Sequence, residues 1–259
     1  MAKQAKKPYD DVVIKGQVEG RFIFLTSISK HVLPFVMLDP APIVLPLSVS
    51  HGKLQLVTVE AMRKQGFREF ANWMQQAENT WVAKRGDKAG KQSIYARLDY
   101  NRGLISQNPV ARFIVLYNAA GTDVCATRVD TTELPGTFVA EHKLYRADFA
   151  TMEEADFLVA ILNSRAVNAA IKPFQSLGLQ GERDIEKKVL ELPIPSFKSA
   201  NKLHSQLYKL SQKAHESAVD FVATATLQKS LARQRAAVRN HLKGIMDEID
   251  SIVKQILVP

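Results

Sequence analysis

The C-terminal part of the chain constrains its fold more than any other stretch. The chain holds 259 residues and 11 prolines, yet from Ala200 onward there is one glycine, and no proline before the final residue. Proline breaks a helix and glycine weakens one, so a long stretch with so little of either favours helix. Apolar residues recur there at spacings of three and four, the period of an amphipathic helix. We therefore predict long C-terminal helices over residues 199–259.

Two rows of apolar residues divide this region. The first lines one helix face, and the second, with alternating spacings of four and three, is typical of a coiled-coil seam. A break near residues 224–226 leaves open a helical hairpin or one long kinked helix. An apolar seam must be covered, by the first helix, by the rest of the chain or by another chain in a self-association. The first row is Leu203, Leu207, Leu210, Ala214 and Phe221, and the second is Val238, Leu242, Ile245, Ile249, Ile252 and Ile256.

Shorter elements of both kinds are predicted before residue 199. Thr151 and Glu154 form a capping box, which begins a helix near residue 152. Together these patterns predict an α+β fold, a mixed β-sheet domain with packed helices that is followed by the long C-terminal helices. The other predicted elements are proline-separated strands over 21–47, one amphipathic helix over 60–77, a β-hairpin over 112–129, a strand over 138–145, a helical piece over 164–171 and a short strand over 189–192.

The charge balance favours a polyanionic partner. With 35 Lys and Arg against 26 Asp and Glu, the formal net charge is +9, and a basic protein of this kind associates readily with nucleic acid. The single cysteine, Cys125, excludes an internal disulfide and a cysteine-cluster metal site, and its apolar context predicts a buried thiol. No apolar run is long enough for a membrane span or a signal peptide, so we expect a soluble cytoplasmic protein without a membrane partner.

The most informative stretch for function is the loop over residues 171–195. Gly178 and Gly181 allow close approach of the backbone to another surface, and Gln and Arg side chains can pair with adenine and guanine edges. Pro193 and Pro195 end the segment. We therefore predict that this loop contacts DNA through Gln175, Ser176, Gly178, Gln180, Gly181, Arg183, Lys187 and Lys188.

A second basic stretch follows the predicted helix over 60–77. It contains two glycines and is interleaved with Tyr95 and Tyr100. A solvated loop and a DNA contact both fit this pattern. The candidate DNA-binding residues here are Lys84, Arg85, Lys88, Lys91, Arg97 and Arg102.

The loop and its surroundings resemble the target recognition region of DNA adenine methyltransferases from restriction-modification systems. The resemblance is dense over residues 162–195 and weaker upstream, and it covers most of the chain between about Phe35 and His204. The residues that carry it are Leu162, Asn163, Ser164, Gln175, Gly178, Gly181 to Ile185, Lys187 and Leu192 to Pro195, with Trp81, Leu98 to Tyr100, Leu104, Gln107, Val115 to Asn118, Gly121 and Thr122 upstream.

The resemblance implies a function for each part of the chain. It implies a polar N-terminal arm over residues 1–20, a DNA target recognition domain over 21–198 and a helical spacer or assembly region over 199–259. Such a specificity module, like a type I specificity subunit or the C-terminal region of a type IIG enzyme, binds double-stranded DNA and delivers the site to a methyltransferase subunit or domain. S-adenosylmethionine would then bind to that partner, with no cofactor or metal in this chain.

The sequence lacks the common catalytic motifs, so we expect a non-catalytic chain. It contains no phosphate loop, no dinucleotide fingerprint, no nucleophile elbow and no paired-histidine zinc motif. One enzymatic alternative stays open: Asp130, Glu141 and Lys143 fit the loose pattern of a small Mg²⁺-dependent endonuclease, in which two carboxylates hold the metal and a lysine activates water. A pure assembly protein that uses the C-terminal seam is a third possibility.

Overall fold

The computed structural model describes residues 7–178, 181–226 and 230–257. The chain forms two compact units, each built from separate stretches of sequence. Unit 1 comprises Met1–Leu25, Pro42–Val110 and Gly136–Val139, and unit 2 comprises Thr26–Ala41, Ala111–Pro135 and Ala140–Pro259. The predicted ranges 1–20, 21–198 and 199–259 do not follow these boundaries, because the C-terminal helices share the core of unit 2 with residues from upstream.

Runs of short strands and runs of helices follow one another along the described residues, which confirms the α+β prediction. The strands are β1 (Ile23–Ser27), β2 (Val32–Leu33), β3 (Val36–Met37), β4 (Ala41–Val44), β5 (Leu47–Ser50), β6 (Lys53–Leu56), β7 (Phe113–Asn118), β8 (Ala126–Asp130), β9 (Phe138–Ala140), β10 (Leu144–Phe149), β11 (Leu177–Gly178) and β12 (Gly181–Glu182). The helices are α1 (Val59–Lys64), α2 (Arg68–Lys84), α3 (Ile94–Leu98), α4 (Met152–Asn163), α5 (Arg165–Ile171), α6 (Lys202–Thr224), α7 (Leu231–His241) and α8 (Lys243–Leu257).

The described residues of unit 1 include two small apolar clusters. In one cluster Phe70, Met74 and Ala77 of α2 pack with Phe22, and in the other the β5–β6 hairpin packs around Leu47. The single helix predicted over 60–77 is in fact α1 and α2. The reason is Gly66, whose φ of 86° is left-handed and ends the first helix.

The described part of the predicted N-terminal arm, residues 7–20, packs on α2. The Glu19 carboxylate accepts a hydrogen bond from the Phe70 backbone N–H at 2.9 Å, so it caps the start of α2, where Phe67 offers no side-chain acceptor. Near the other end of the helix, Tyr9 stacks on Trp81 with ring centroids 6.0 Å apart. The arm is therefore part of unit 1.

Unit 2 is built around the antiparallel sheet β10–β7–β8. All six residues of β7 are buried, which is typical of a central strand covered on both faces. The helices α4, α6 and α8 add their apolar faces to the same core. The predicted helix start is confirmed, because the Thr151 hydroxyl accepts a hydrogen bond from the Glu154 N–H and α4 begins at Met152.

The C-terminal helices form a hairpin-like pair inside unit 2. Helix α6 ends at Thr224, as the break predicted, and α8 packs against both α6 and α4. Val238, Leu242 and Ile249 of the predicted seam are fully or almost fully buried in this core. These three positions are thus covered by the chain itself, while the other three seam residues are half-buried. The seam runs through two helices, α7 and α8, separated at Leu242.

Two predicted strands are corrected by the structure. Residues 138–145 are split between β9 and β10, because a turn closes at Glu141, whose carbonyl accepts the Leu144 N–H at 2.9 Å. Lys188–Glu191 is a 3₁₀ turn and not a strand, since Lys187 lies in a non-extended conformation that bends the backbone before it. Among the described residues, no helix is long and apolar enough to cross a membrane.

Candidate nucleic-acid interface

Three buried asparagines hold the turn between β7 and β8. The consecutive N–H groups of Val124, Cys125 and Ala126 donate to the side-chain oxygens of Asn168, Asn118 and Asn163, at 2.7, 2.7 and 3.0 Å. Buried N–H groups need such acceptors, because an unsatisfied one costs about 1–3 kcal/mol. The turn is therefore fixed by side chains from α4, α5 and β7.

The predicted loop docks on this turn. The Gly121 N–H donates to the Arg183 carbonyl at 2.7 Å, and the N–H groups of Ile185 and Glu186 both donate to the Ala119 carbonyl. Gly121 has φ of 146°, and a Cβ there would lie 2.9 Å from Asn118 Nδ2. Only glycine fits at this position without strain, so Gly121 permits the close packing of the turn on Asn118.

Gln175 is part of this attachment and does not face solvent. Its side chain is 6% exposed, and its Nε2 donates to the Gly121 carbonyl at 3.1 Å. A side chain held in this way positions the loop, so the structure corrects the prediction that Gln175 reads a base edge. Its Oε1 is buried without a hydrogen-bond partner among the described residues.

The rest of the loop forms a short hairpin. Leu177 pairs with Glu182 and Gly178 with Gly181, while the Ser176 hydroxyl donates to the Asp184 carboxylate below the hairpin. Gln180, another predicted base reader, lies outside the described residues. The hairpin therefore stands on a fixed base that Ser176 and Asp184 help to close.

Cationic and apolar side chains share the exposed surface of this segment. The Arg183 side chain is 72% exposed, with Nε 3.9 Å from Asp184, Lys187 is exposed and Lys188 is half-buried. Phe174, Leu177 and Leu190 are 69%, 83% and 65% exposed. Apolar side chains that stand beside cations can enter a DNA groove or press on bases.

The segment over residues 172–191 is nevertheless electrically neutral. Its four cations are matched by four acids, namely Lys172, Arg183, Lys187 and Lys188 against Glu182, Asp184, Glu186 and Glu191. Neutral segments give little of the phosphate attraction on which DNA affinity depends. The charge for such binding must come from elsewhere in the chain.

The second predicted stretch lies in unit 1, and its first two cations have structural partners. Lys84 Nζ lies 2.6 Å from Asp11 Oδ1 and 3.1 Å from the Pro8 carbonyl. Arg85 Nη1 donates to the Gln92 carbonyl at 2.7 Å, and Trp81 Nε1 donates to the same oxygen at 2.8 Å. These contacts tie the loop after α2 to the helix.

The later cations of this stretch face solvent. Lys91, Arg97 and Arg102 are exposed, and the part of the chain that the structure describes offers their side chains no hydrogen-bond or ion-pair partner. The side chain of Lys88 lies outside the description. Of the predicted set in unit 1, these three cations are therefore the ones that a ligand in solvent could reach.

The net charge is concentrated in unit 1. This unit holds 15 of the 35 Lys and Arg residues and 8 of the 26 Asp and Glu residues, a formal charge of +7. Unit 2 holds the remaining 20 cations and 18 acids, a charge of only +2. Sequence position hides this difference because both units are assembled from separate stretches.

The three residues of the nuclease alternative are not brought together. Asp130 pairs with Phe113 at one end of β7, whereas the Lys143 carbonyl accepts from the Ala119 N–H just beyond the other end. Five residues of strand separate these ends, roughly 17 Å. Among the described residues, no group of three His, Cys, Asp or Glu could hold a metal ion.

Asp130 and Glu141 instead have local partners. Burial alone would raise the pKa of Asp130, but hydrogen bonds from Thr132 and the charge of Arg112 outweigh it and hold the pKa below its ordinary value. One Glu141 oxygen accepts the Lys143 N–H at 3.0 Å, and the other lies 2.5 Å from His142 Nδ1. Each carboxylate therefore has its hydrogen-bond and charge partners close to its own turn.

Several important positions had only partial signals in the sequence. Asn118 and Asn163 belong to the resemblance described above, but their role as acceptors for a turn does not follow from residue type. Tyr117 donates its hydroxyl to the Glu186 carbonyl at 3.2 Å, and burial raises its pKa, so it keeps that proton at neutral pH. Such long-range contacts appear only once β7 and the loop are adjacent.

Comparison with solved structures yields a weak similarity. No family model matches the sequence, and no curated protein matches it. Among solved structures, the crystal structure of the type IIG restriction endonuclease BpuSI matches with a TM-score of 0.42 and 14% identity. The match covers 92% of this chain and 27% of the BpuSI chain, so this chain spans about a quarter of that protein's length. At this identity and TM-score, the similarity carries no argument about function.

Proposed function

We propose that this chain is a non-catalytic, sequence-specific DNA-binding module that presents a target site to a DNA adenine methyltransferase of a restriction-modification system. In this proposal, unit 1 supplies the attraction to phosphates, and unit 2 holds the hairpin over residues 177–182 against the bases. The methyltransferase and its S-adenosylmethionine belong to a partner subunit or domain.

The concentration of charge in unit 1 is the observation that carries the proposal. A net charge of +7 on this unit gives a field that attracts a polyanion, and DNA is the polyanion whose affinity depends on such charge. Lys91, Arg97 and Arg102 are exposed on this unit. Phosphate contacts of this kind fix position on DNA without selecting sequence.

The fixed hairpin of unit 2 supports the second half of the proposal. Its base is held by Gly121, Gln175 and the three asparagines, and it exposes Arg183 and Leu177. A rigid base is what a reading element requires, because hydrogen bonds to base edges depend on orientation. Arg183 can pair with the O6 and N7 acceptors of guanine. The resemblance over residues 162–195 adds the methyltransferase context.

Assembly through the C-terminal seam has less support. Val238, Leu242 and Ile249 of the seam are at most 1% exposed, so these positions are occupied within unit 2. Ile245, Ile252 and Ile256 are half-buried, so a partner subunit would have only that part of the seam to contact.

Selection from a random pool tests the proposal. The purified chain is incubated with random duplex DNA, and the bound DNA is sequenced after several rounds. We expect an enriched motif that Arg183→Ala weakens at one or two positions, with about 1–3 kcal/mol lost for the preferred base. Lys254→Ala, which removes an exposed cation from α8, serves as the matched control and should keep the motif. No enrichment with the wild-type chain would contradict the proposal.

A further inference from the structure

A groove of about 820 Å³ lies within unit 1, between the turn of the β5–β6 hairpin and the loop over residues 102–110. None of its lining residues is acidic, although unit 1 contains 8 Asp and Glu residues. The polar side chains on its two walls include those of His51, Lys53, Gln55, Arg102, Gln107 and Asn108. An open groove with cations and amides but no carboxylate suits an anionic ligand that also offers hydrogen-bonding edges.

Lys53 and Gln55 project from the same face of β6. The residue between them, Leu54, is buried in the core of unit 1, whereas both polar residues are exposed, as the two-residue period of a strand requires. Across the groove, Arg102 is exposed as well. Within residues 7–178, 181–226 and 230–257, no hydrogen-bond or ion-pair partner is found for these three side chains. Each is therefore available to a ligand.

The backbone around Arg102 is held in an uncommon conformation. Asn101 and Arg102 have φ of 53° and 58°, a left-handed region that residues other than glycine rarely adopt. The loop keeps this conformation because Asp99 Oδ1 accepts the N–H groups of Leu104 and Ile105, both at 3.0 Å. These bonds also occupy Asp99, the nearest acid along the chain. Such conformations are concentrated at functional sites, where the surrounding structure stabilises them.

The opposite wall is equally well defined. The pairing of Ser50 with Lys53 closes a two-residue turn at His51 and Gly52, both of which have positive φ, 49° and 71°. This is the geometry of a tight β-hairpin turn. Lys53 thus begins its strand at a fixed position at the mouth of the groove.

We propose that this groove is a DNA-binding site of unit 1, in which Lys53 and Arg102 each contact a phosphate of the duplex and Gln55 faces a base edge. The inference rests on the proposed function and names the surface through which unit 1 binds. Cations bind phosphates more strongly where no carboxylate competes for them, and the amide of Gln55 can donate to adenine N7 and accept from the adenine N6 amino group. Gln55, which the sequence did not single out, becomes a specificity residue.

Charge-matched variants test the groove. Binding of the wild-type chain to duplex DNA is measured by fluorescence anisotropy over a series of salt concentrations, together with the double variants Lys53→Ala/Arg102→Ala and Lys64→Ala/Lys84→Ala. The control removes the same charge from the same unit, but its lysines are already paired with Glu60 and Asp11. The groove variant should lower the slope of log K against log salt by about 1.8, since each phosphate contact contributes about 0.9.

Gln55→Ala tests the base contact, with the exposed Gln65→Ala as its control. In selection from random duplex DNA, Gln55→Ala should relax one position of the motif and leave the salt slope unchanged, while Gln65→Ala should do neither. If the groove variant and the lysine control change the slope equally, the groove is not the site, and the proposed function stands if the wild type still binds selectively. If the wild type shows no salt-dependent DNA binding, both proposals fall.

Discussion

The two units of this chain differ in where they place polar groups. Unit 1 keeps its charge on the surface, with a net +7 and two small apolar clusters. Unit 2 is almost neutral and buries amides and carboxylates in one large core, among them Asn163, Asn168, Asp156 and Asp250. Under the proposed function, attraction to DNA and orientation of a reading element need opposite designs. Exposed surface cations would give the first, and hydrogen-bonded buried amides would give the second.

The largest expected effect comes from breaking the buried network of unit 2. Asn163→Ala leaves both the N–H and the carbonyl of Ala126 without their side-chain partner, and we expect a loss of roughly 3 kcal/mol in the free energy of unfolding. Urea unfolding followed by the helical circular dichroism signal measures it. Asn240→Ala, an exposed residue of α7, is the control and should change stability by less than about 0.5 kcal/mol. Equal effects would show that unit 2 does not depend on this network.

Two glycine substitutions give a second comparison, in which we expect the free energy of unfolding to change in opposite directions. Gly121→Ala forces a Cβ to within 2.9 Å of Asn118 Nδ2 in a left-handed conformation, and should cost roughly 2 kcal/mol. Gly244→Ala, in α8 with no atom near its Cβ position, should gain up to about 1 kcal/mol. The same urea titration resolves both. A stable Gly121→Ala variant would contradict the close packing of this turn on Asn118.

Unit 1 should respond more weakly, because its polar contacts are at the surface. Glu19→Ala removes the acceptor for the Phe70 N–H, and losing a helix cap costs about 1 kcal/mol. Both tryptophans, Trp73 and Trp81, lie in α2, so their fluorescence reports this helix directly. Glu60→Ala, which breaks only an exposed ion pair, should change the unfolding midpoint far less. A reversed order would contradict the role of the N-terminal arm.

The smallest effect is a pH dependence in unit 2. Burial, and to a lesser extent Lys198, lowers the pKa of His204 below its ordinary value of 6.5, and its Nδ1 accepts the Lys198 N–H. The unfolded chain therefore binds a proton at His204 before the folded chain does, and stability contributed by the neutral ring is lost as pH falls below about 6.5. His204→Asn should flatten the decline in melting temperature between pH 7.5 and 6. If the decline in melting temperature is unchanged in the variant, titratable groups other than His204 cause it.

Local signals in the sequence predicted much of the fold. The capping box at Thr151, the hairpin over 112–129 and the end of α6 at Thr224 all depend on nearby residues, so they are readable without tertiary contacts. The same locality explains the errors. One helix over 60–77 was predicted because its apolar period continues past Gly66, and a strand over 189–192 because its residues are apolar.

The candidate site was less predictable for a physical reason. Lys84 and Gln175 have the residue types of DNA contacts, yet distant partners use them, Asp11 for one and the Gly121 carbonyl for the other. Composition could not show this, because those partners lie 73 and 54 residues away. The groove with Lys53 and Gln55 was not predicted, because its two walls come from a hairpin and from a loop about fifty residues further along the chain. Residue types alone do not show that these segments are adjacent.

The most direct test asks which unit supplies the phosphate contacts. The slope of log K against log salt is measured for duplex DNA binding by the wild-type chain and two triple variants, Lys91→Ala/Arg97→Ala/Arg102→Ala in unit 1 and Lys202→Ala/Lys209→Ala/Lys213→Ala on α6 of unit 2. All six residues are exposed, and each variant removes the same charge. We expect a decrease in slope of about 2.7 for the unit 1 variant and little change for the α6 variant. An equal or larger decrease for the α6 variant would contradict it.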